Sequence, residues 1–376
     1  VVASSSLTEF LAAASLVDHH VHGAFTTELS RAEFEVALNE GSPDPVPAWM
    51  TQFDSQLGFA IRRWCAPLLD LPAHASAAEY WRRRTELGTA EVTARFLRAA
   101  GVSDWVLDTG YAAGTVLDAS GLAAASGGHV HPVVRLESLA EGLAAEGVRD
   151  YVDEFASRLS GRFVAAKSIL AYRCGFDLDL GRPADSEVAE AARRWTGEAG
   201  DRPRLTDPVL IRHGLHAAAE AGLPLQIHTG FGDRDLDLHR SNPLLLLDFL
   251  RDPRVSRVPV LLLHCYPYHR EAGYLAQAFP NVHFDVGLAV NHLGVRSAEL
   301  IAESFELAPF AKQLYSSDAW GPPELHFLGA TLWRRAIGLI FGRWVADGDW
   351  SPADAIRVAG MLGSGNARRV YRLPTG

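Results

Sequence analysis

The feature that most restricts this chain is a rhythm of eight short apolar runs. They are Ser15–Gly23, Asp104–Thr109, Val130–Leu136, Phe163–Ile169, Pro224–His228, Val260–His264, Val282–Val286 and Gln313–Asp318. Between them, segments such as Gly142–Leu159, Ser186–Glu198, Pro208–Ala221 and Leu244–Arg251 carry apolar residues at helical spacing. Strands that alternate with helices build a parallel sheet, and eight such units predict closure into a (β/α)8 TIM barrel. No linker or low-complexity stretch divides the chain, so residues 1–376 are expected to form a single domain. Residues 24–100 interrupt the rhythm with a Pro-rich loop, Gly41–Pro47, and helical patterns at Phe59–Leu69 and Ala78–Ala100. They are expected to be a helical insertion after the first strand, either over the functional site or as a peripheral helical layer.

Composition narrows the function. A formal charge of −10 argues against nucleic acid or an anionic membrane as partner, since both need clustered Lys and Arg. No apolar run approaches the roughly 20 residues that span a bilayer. Val1–Ser15 lacks a basic leader pattern and reads as running into the first strand rather than as a signal peptide. Cys65, Cys174 and Cys265 give no disulfide framework, and a reducing cytoplasm is the expected compartment.

The chemistry gathers at the strand ends. In Val17-Asp18-His19-His20-Val21-His22, alternation puts His20 and His22 on one face together with Asp18. Two histidines at this spacing can grip one metal ion, but alone they are a weak signal. Lys167 stands late in the fourth run, His228 and His264 end the fifth and sixth, and Asp318 ends the eighth. A barrel presents catalytic residues at the C-terminal ends of its strands, so all six are expected at one mouth. Imidazole nitrogens with a carboxylate suit Zn²⁺ or another first-row divalent ion. Each ligating imidazole then needs a partner for its other nitrogen.

This set resembles the amidohydrolase superfamily, whose barrels bind one or two metals with ligands in this order. The closer resemblance is to nodulin-type amidohydrolase domains, the kind associated with a glutamine synthetase. It rests on Val17–Gly23, Ala166–Arg173, Leu263–Arg270, Phe284–Gly287 and Tyr315–Trp320, with Gly365–Arg372 similar to the family's closing helix. The resemblance implies a metal-dependent hydrolase type of barrel. It also implies that Asp318 both ligates the metal and moves the proton of its bound water, a dual role its carboxylate chemistry allows. In the two-metal members the lysine is carbamylated and bridges the ions. Lys167 would then be an anionic ligand, with His228 and His264 on the second ion. Unmodified, Lys167 orients substrate, or one metal suffices and His264 acts through hydrogen bonds.

Substrate contacts are read from position. Arg173 and Arg135 can bind a carboxylate or serve as ion-pair partners, for instance of Glu137. Trp320 and Tyr266 are candidates for the mouth, and His292, expected on a loop, for an oxyanion donor. Cys265 adjoins His264 and faces away from the interior. The charged loop Asp233–Asp237 with His239 is either a gate or a solvated loop. The expected function is metal-assisted hydrolysis of an amide or related C–N or C–O bond in a small, optionally carboxylated molecule. A non-oxidative decarboxylase and a non-catalytic binding barrel are the alternatives. Lys167 favours hydrolysis over decarboxylation, and the intact ligand set argues against a mere binding barrel. The partner is a small molecule, with a homo-oligomer left open.

Overall fold

The computed structural model describes residues 5–148, 150–161, 163–198 and 203–374. Seven of the expected runs form strands: β1 Leu16–Val21, β2 Val102–Asp108, β3 His129–Arg135, β4 Ala165–Ser168, β5 Leu225–Thr229, β6 Val260–His264 and β7 Val282–Phe284. They lie side by side in chain order, every neighbouring pair parallel. The strands are short and largely buried on both faces, because helices cover the outer face and the curled sheet wraps around the inner one. Inside the curl, Val17, Val106, Val133, Ala165, Leu261 and Leu263 pack together. The helix Asn366–Tyr371 plugs the end away from the strand C-termini through Ala367, Val370 and Tyr371.

The eighth run departs from expectation. Gln313–Asp318 forms no regular strand, yet it runs between the two edges of the sheet. Leu314 N–H donates to the Phe284 carbonyl at the end of β7, while the His19 and His22 N–H groups of the β1 region donate to the Tyr315 and Ala319 carbonyls. Side chains break the ladder. Ser316 Oγ donates to the His20 carbonyl, Ser317 Oγ donates to Asp18, and Asp318 takes a left-handed φ of 48°. Asp18, expected on the face of His20 and His22, is thereby committed to Ser317, whose N–H and Oγ both donate to its carboxylate. Burial pushes its carboxyl up to about 7.

Residues 24–100 are helical but broken. Gly88, at φ 77°, divides the expected Ala78–Ala100 pattern into Ala77–Leu87 and Thr89–Ala99. Much of this region packs on the flank, against the helix Pro323–Ala346, rather than over the site. Arg84 Nε and Tyr80 Oη donate to Glu324 Oε1 at 2.7 and 3.0 Å, a buried tie between the two layers. Only the stretch around Glu40 reaches the cavity described below. Among the described residues, no helix is long and apolar enough to cross a membrane.

Candidate metal centre and its cavity

The strand ends bring the expected donors together. His20 Nε2 and His22 Nε2 lie 3.2 and 3.6 Å from Asp318 Oδ1, and His264 Nδ1 lies 3.3 Å from Asp318 Oδ2. Two donors each about 2.1 Å from a tetrahedral ion sit about 3.4 Å apart, so the spacing fits a first-row metal. Asp318 Oδ1 and His264 Nδ1 are buried and make no hydrogen bond despite this proximity. Left that way, each costs about 1–3 kcal/mol. Lone pairs that face one another without a shared proton are what a cation would satisfy. The residues present therefore fit a divalent metal.

The imidazoles are prepared for that task. Burial lowers the pKa of His20, His228 and His264 well below the ordinary histidine value, and that of His22 to about 3. All four are neutral at physiological pH, the state that ligates. The nitrogen that points inward is also fixed. Gln226 donates through Nε2 to the His19 carbonyl and Tyr371 Oη, which leaves its Oε1 to accept from His20 Nδ1 at 2.9 Å. His20 is thus held with Nε2 unprotonated and facing Asp318. His22 Nδ1 reaches the Asp108 carbonyl more weakly, at 3.4 Å.

Backbone strain aims two of the donors. His264 and Asp318 have φ of 69° and 48°, conformations that cost on the order of 1–3 kcal/mol for such residues. Asp285 Oδ1 accepts from the His264 and Gly287 N–H groups, and its Oδ2 pairs with His19 Nε2. Asp285 therefore supports β6 from behind. Cys265, as expected, turns away, its thiol donating to the Leu262 carbonyl.

Lys167 is 1% exposed, with Nζ 3.0 Å from His20 Nε2. Burial lowers its pKa to about 8, although Asp108 and Asp318 oppose the shift. His228 sits on the far side of His264, ring centroids 4.7 Å apart, and its Nε2 is buried without a partner. Burial raises the Asp318 carboxyl well above the usual range, with the Lys167 charge working against it.

A cavity of about 270 Å³ opens in front of these groups, and Lys167, His22, His228, His264 and Asp318 form its floor. Arg135 lines it too, but Nε and Nη2 both donate to Asp108 Oδ2, at 3.0 and 2.6 Å. Its ion-pair partner is thus Asp108 and not Glu137, whose Oε1 accepts from Ser168 Oγ and the Ile169 N–H. Arg173 and Trp320 line the cavity as expected. His292 does not: it lies on the helix Gly287–Leu293, not on a loop, with its ring against Phe231. Tyr266 is likewise outside, stacked on His269. The Asp233–Asp237 loop is part of the wall through Asp233 and Asp235, while His239 is exposed beside Asp237.

Several residues of the site escaped sequence reasoning. Asp108 ends β2 next to His20 and His22 and lies within metal-donor range of both. Its oxygens are already engaged by Arg135 and the Gly110 N–H, so it orients rather than ligates. An acid at a strand end was the available signal. Gln226, inside β5, and Glu40, between distant helices, carried none. Glu40 accepts from Trp320 Nε1 at 3.3 Å, and burial pushes its carboxyl up to about 7.

A crystal structure assigned as a metal-dependent hydrolase from Lactobacillus casei ATCC 334 matches with a TM-score of 0.83 and 26% identity, covering 97% of both chains. Glucuronate isomerase from Caulobacter crescentus shares the fold at a TM-score of 0.59 and 14% identity, over 99% of this chain and 94% of that one. Protein fluG of Emericella nidulans is 34% identical over 223 residues, 56% of this chain. The chain covers 26% of that protein's length. The amidohydrolase family model matches residues 132–373, from within β3 through the closing helix and across every donor except His20 and His22. By that match, which takes in more than half of its length, the chain belongs to the amidohydrolase family.

Proposed function

We propose that the chain is a metal-dependent hydrolase that cleaves an amide or related C–N or C–O bond of a small molecule, carboxylated or not. The spacing of 3.2–3.6 Å between Asp318 and three neutral imidazoles carries this reading. His20, His22, His264 and Asp318 would hold one divalent ion, with Zn²⁺ the first choice for this donor set. His228, with His264 and a carbamylated Lys167, would hold a second. Bound there, the metal supplies Lewis-acid activation of water and of a substrate oxygen.

The chain's own groups do the rest. Asp318 takes a proton from water at its carboxylate and returns it to the leaving nitrogen or oxygen. Its buried setting, which favours the protonated form, suits the second half of that transfer. Gln226 holds the His20 tautomer, and Asp285 holds the bend that aims His264. Lys167, with a pKa of about 8, keeps a fraction of free amine near neutral pH, the form that reacts with CO₂. Unmodified, the same nitrogen stays on His20 Nε2 and competes with the metal. The arrangement suits a small-molecule partner, and we read the chain as one domain of the nodulin-type subgroup, its barrel a distorted (β/α)8 completed by Gln313–Asp318. A cytoplasmic enzyme, as a homo-oligomer, is the accompanying proposal.

The test is metal content per chain, by elemental mass spectrometry, with and without bicarbonate. About two ions per chain with bicarbonate and fewer without support the bridged site. One ion in both conditions removes the carbamate, and no bound metal overturns the reading. His228→Ala is expected to lower metal content and activity together, and unchanged values would remove His228 as a ligand.

A further inference from the structure

The cavity in front of the donor cluster is electrically divided. Arg173 and Arg204 stand on its wall together with Glu40, Asp233 and Asp235. Arg135 is consumed by Asp108, but Arg173 is not so occupied. Its side chain is 8% exposed, Nη2 lies 3.0 Å from Glu141 Oε1, and Nε and Nη1 have no hydrogen-bond partner. A guanidinium this buried normally has most of its N–H groups engaged, because an underpaired cation away from water is disfavoured. Arg204 is exposed and, among the described residues, makes no hydrogen bond or ion pair. It lines the same cavity as Arg173 and Asp233.

We propose that Arg173 and Arg204 form the subsite for a carboxylate that the substrate carries a few atoms from its scissile bond. This rests on the hydrolase reading and deepens it: the substrates are amides or esters whose skeleton bears a free carboxylate. A carboxylate fits better than a phosphate, because Glu40, Asp233 and Asp235 share the cavity and repel a dianion more than a monoanion. For an amide, the water oxygen bonds to the acyl carbon and the C–N bond breaks. One water proton passes through Asp318 to the leaving nitrogen, and the proton of the new carboxylic acid ends on the released amine. Products are a dicarboxylate and an amine, or a carboxylate and an amino acid, according to which side bears the anchoring group.

Calorimetric titration of the zinc-loaded protein with glutarate, butyrate and 4-phosphonobutyrate tests the subsite. Butyrate offers one carboxylate, glutarate a second at the same chain length plus one carbon. Glutarate is expected to bind at least about tenfold more tightly than butyrate. That advantage should vanish in Arg173→Lys, which keeps the charge opposite Glu141 but loses the guanidinium donors, and shrink in Arg204→Met. Equal binding of glutarate and butyrate, or an unchanged advantage in a folded Arg173→Lys protein, overturns the proposal. Tighter binding of 4-phosphonobutyrate overturns the choice of carboxylate. A panel of neutral and carboxylated amides separates the two readings. Equal hydrolysis of both kinds sinks the subsite alone, whereas no hydrolysis of any with the glutarate advantage intact sinks the hydrolase alone.

Discussion

The floor of the cavity and its rim are built on opposite plans. On the floor, the donors leave strand ends or, for Asp318, the irregular eighth run beside them, and are held by buried partners: His20 by Gln226, His264 through Asp285, and Asp318 through Ser316 Oγ. The rim comes from irregular stretches. Glu40 follows the helix Arg31–Ala37, Asp233 and Asp235 follow β5, and the Trp320 indole meets Glu40 at 3.3 Å. Arg234 ties the β5 loop to Asp44 by an ion pair between exposed side chains, a contact worth little in water. The contrast separates two jobs. A reacting centre needs donors fixed to a fraction of an ångström, and strand ends braced from below provide that. Recognition can be carried by segments that vary without disturbing the barrel.

If that division holds, disturbing the floor should damage chemistry far more than disturbing the rim. The largest effect is expected from Asp318→Asn, which keeps shape but removes the proton acceptor. Its kcat should fall by about 10²–10⁴-fold, measured on the best substrate of an amide panel. A loss under tenfold would show that Asp318 is not the group that moves the proton. Next comes Gln226→Leu. With no oxygen to accept from His20 Nδ1, the tautomer is released, and zinc affinity should drop about 10–100-fold in competition with a chelator. An unchanged affinity would mean that the buried amide braces the fold and does nothing for the donor.

The same division explains what could be read from the sequence. Strands are written in local composition, and so are the polar residues that end them, which is why His20, His22, Lys167, His228, His264 and Asp318 could be placed at one mouth in advance. The eighth strand failed because its serines bond to β1 instead of completing a ladder, a tertiary choice with no local signature. Gln226 was hidden because a glutamine inside a strand looks the same whether it braces a ligand or not. Its role exists only because Tyr371, 145 positions later, and the His19 carbonyl take its amide hydrogens. Arg135 and Asp108 are 27 residues apart on adjacent strands, and their register alone decides that they pair. The residues near 40 form an irregular link between helices, and that Glu40 reaches the cavity follows from packing, not from period.

The rim yields the smallest expected effect, and it is one of pH. Burial raises the Glu40 carboxyl from 4.5 to about 7. Between those values the folded chain holds a proton there that the unfolded chain has released, so folding gains from acid. The contribution is complete below about 4.5 and is lost as pH rises through about 7. Glu40→Gln removes the titration. Relative to the parent, the variant should gain stability from pH 5 to 8, on the order of 1–2 kcal/mol once screening by the open cavity is discounted. Denaturant midpoints at a series of pH values read this directly. A parallel pH dependence for parent and variant would mean that Glu40 is ionised and solvated in the folded protein. The rim would then be a negative surface at neutral pH, and the carboxylate-anchoring arginines would face three full charges across the cavity instead of two.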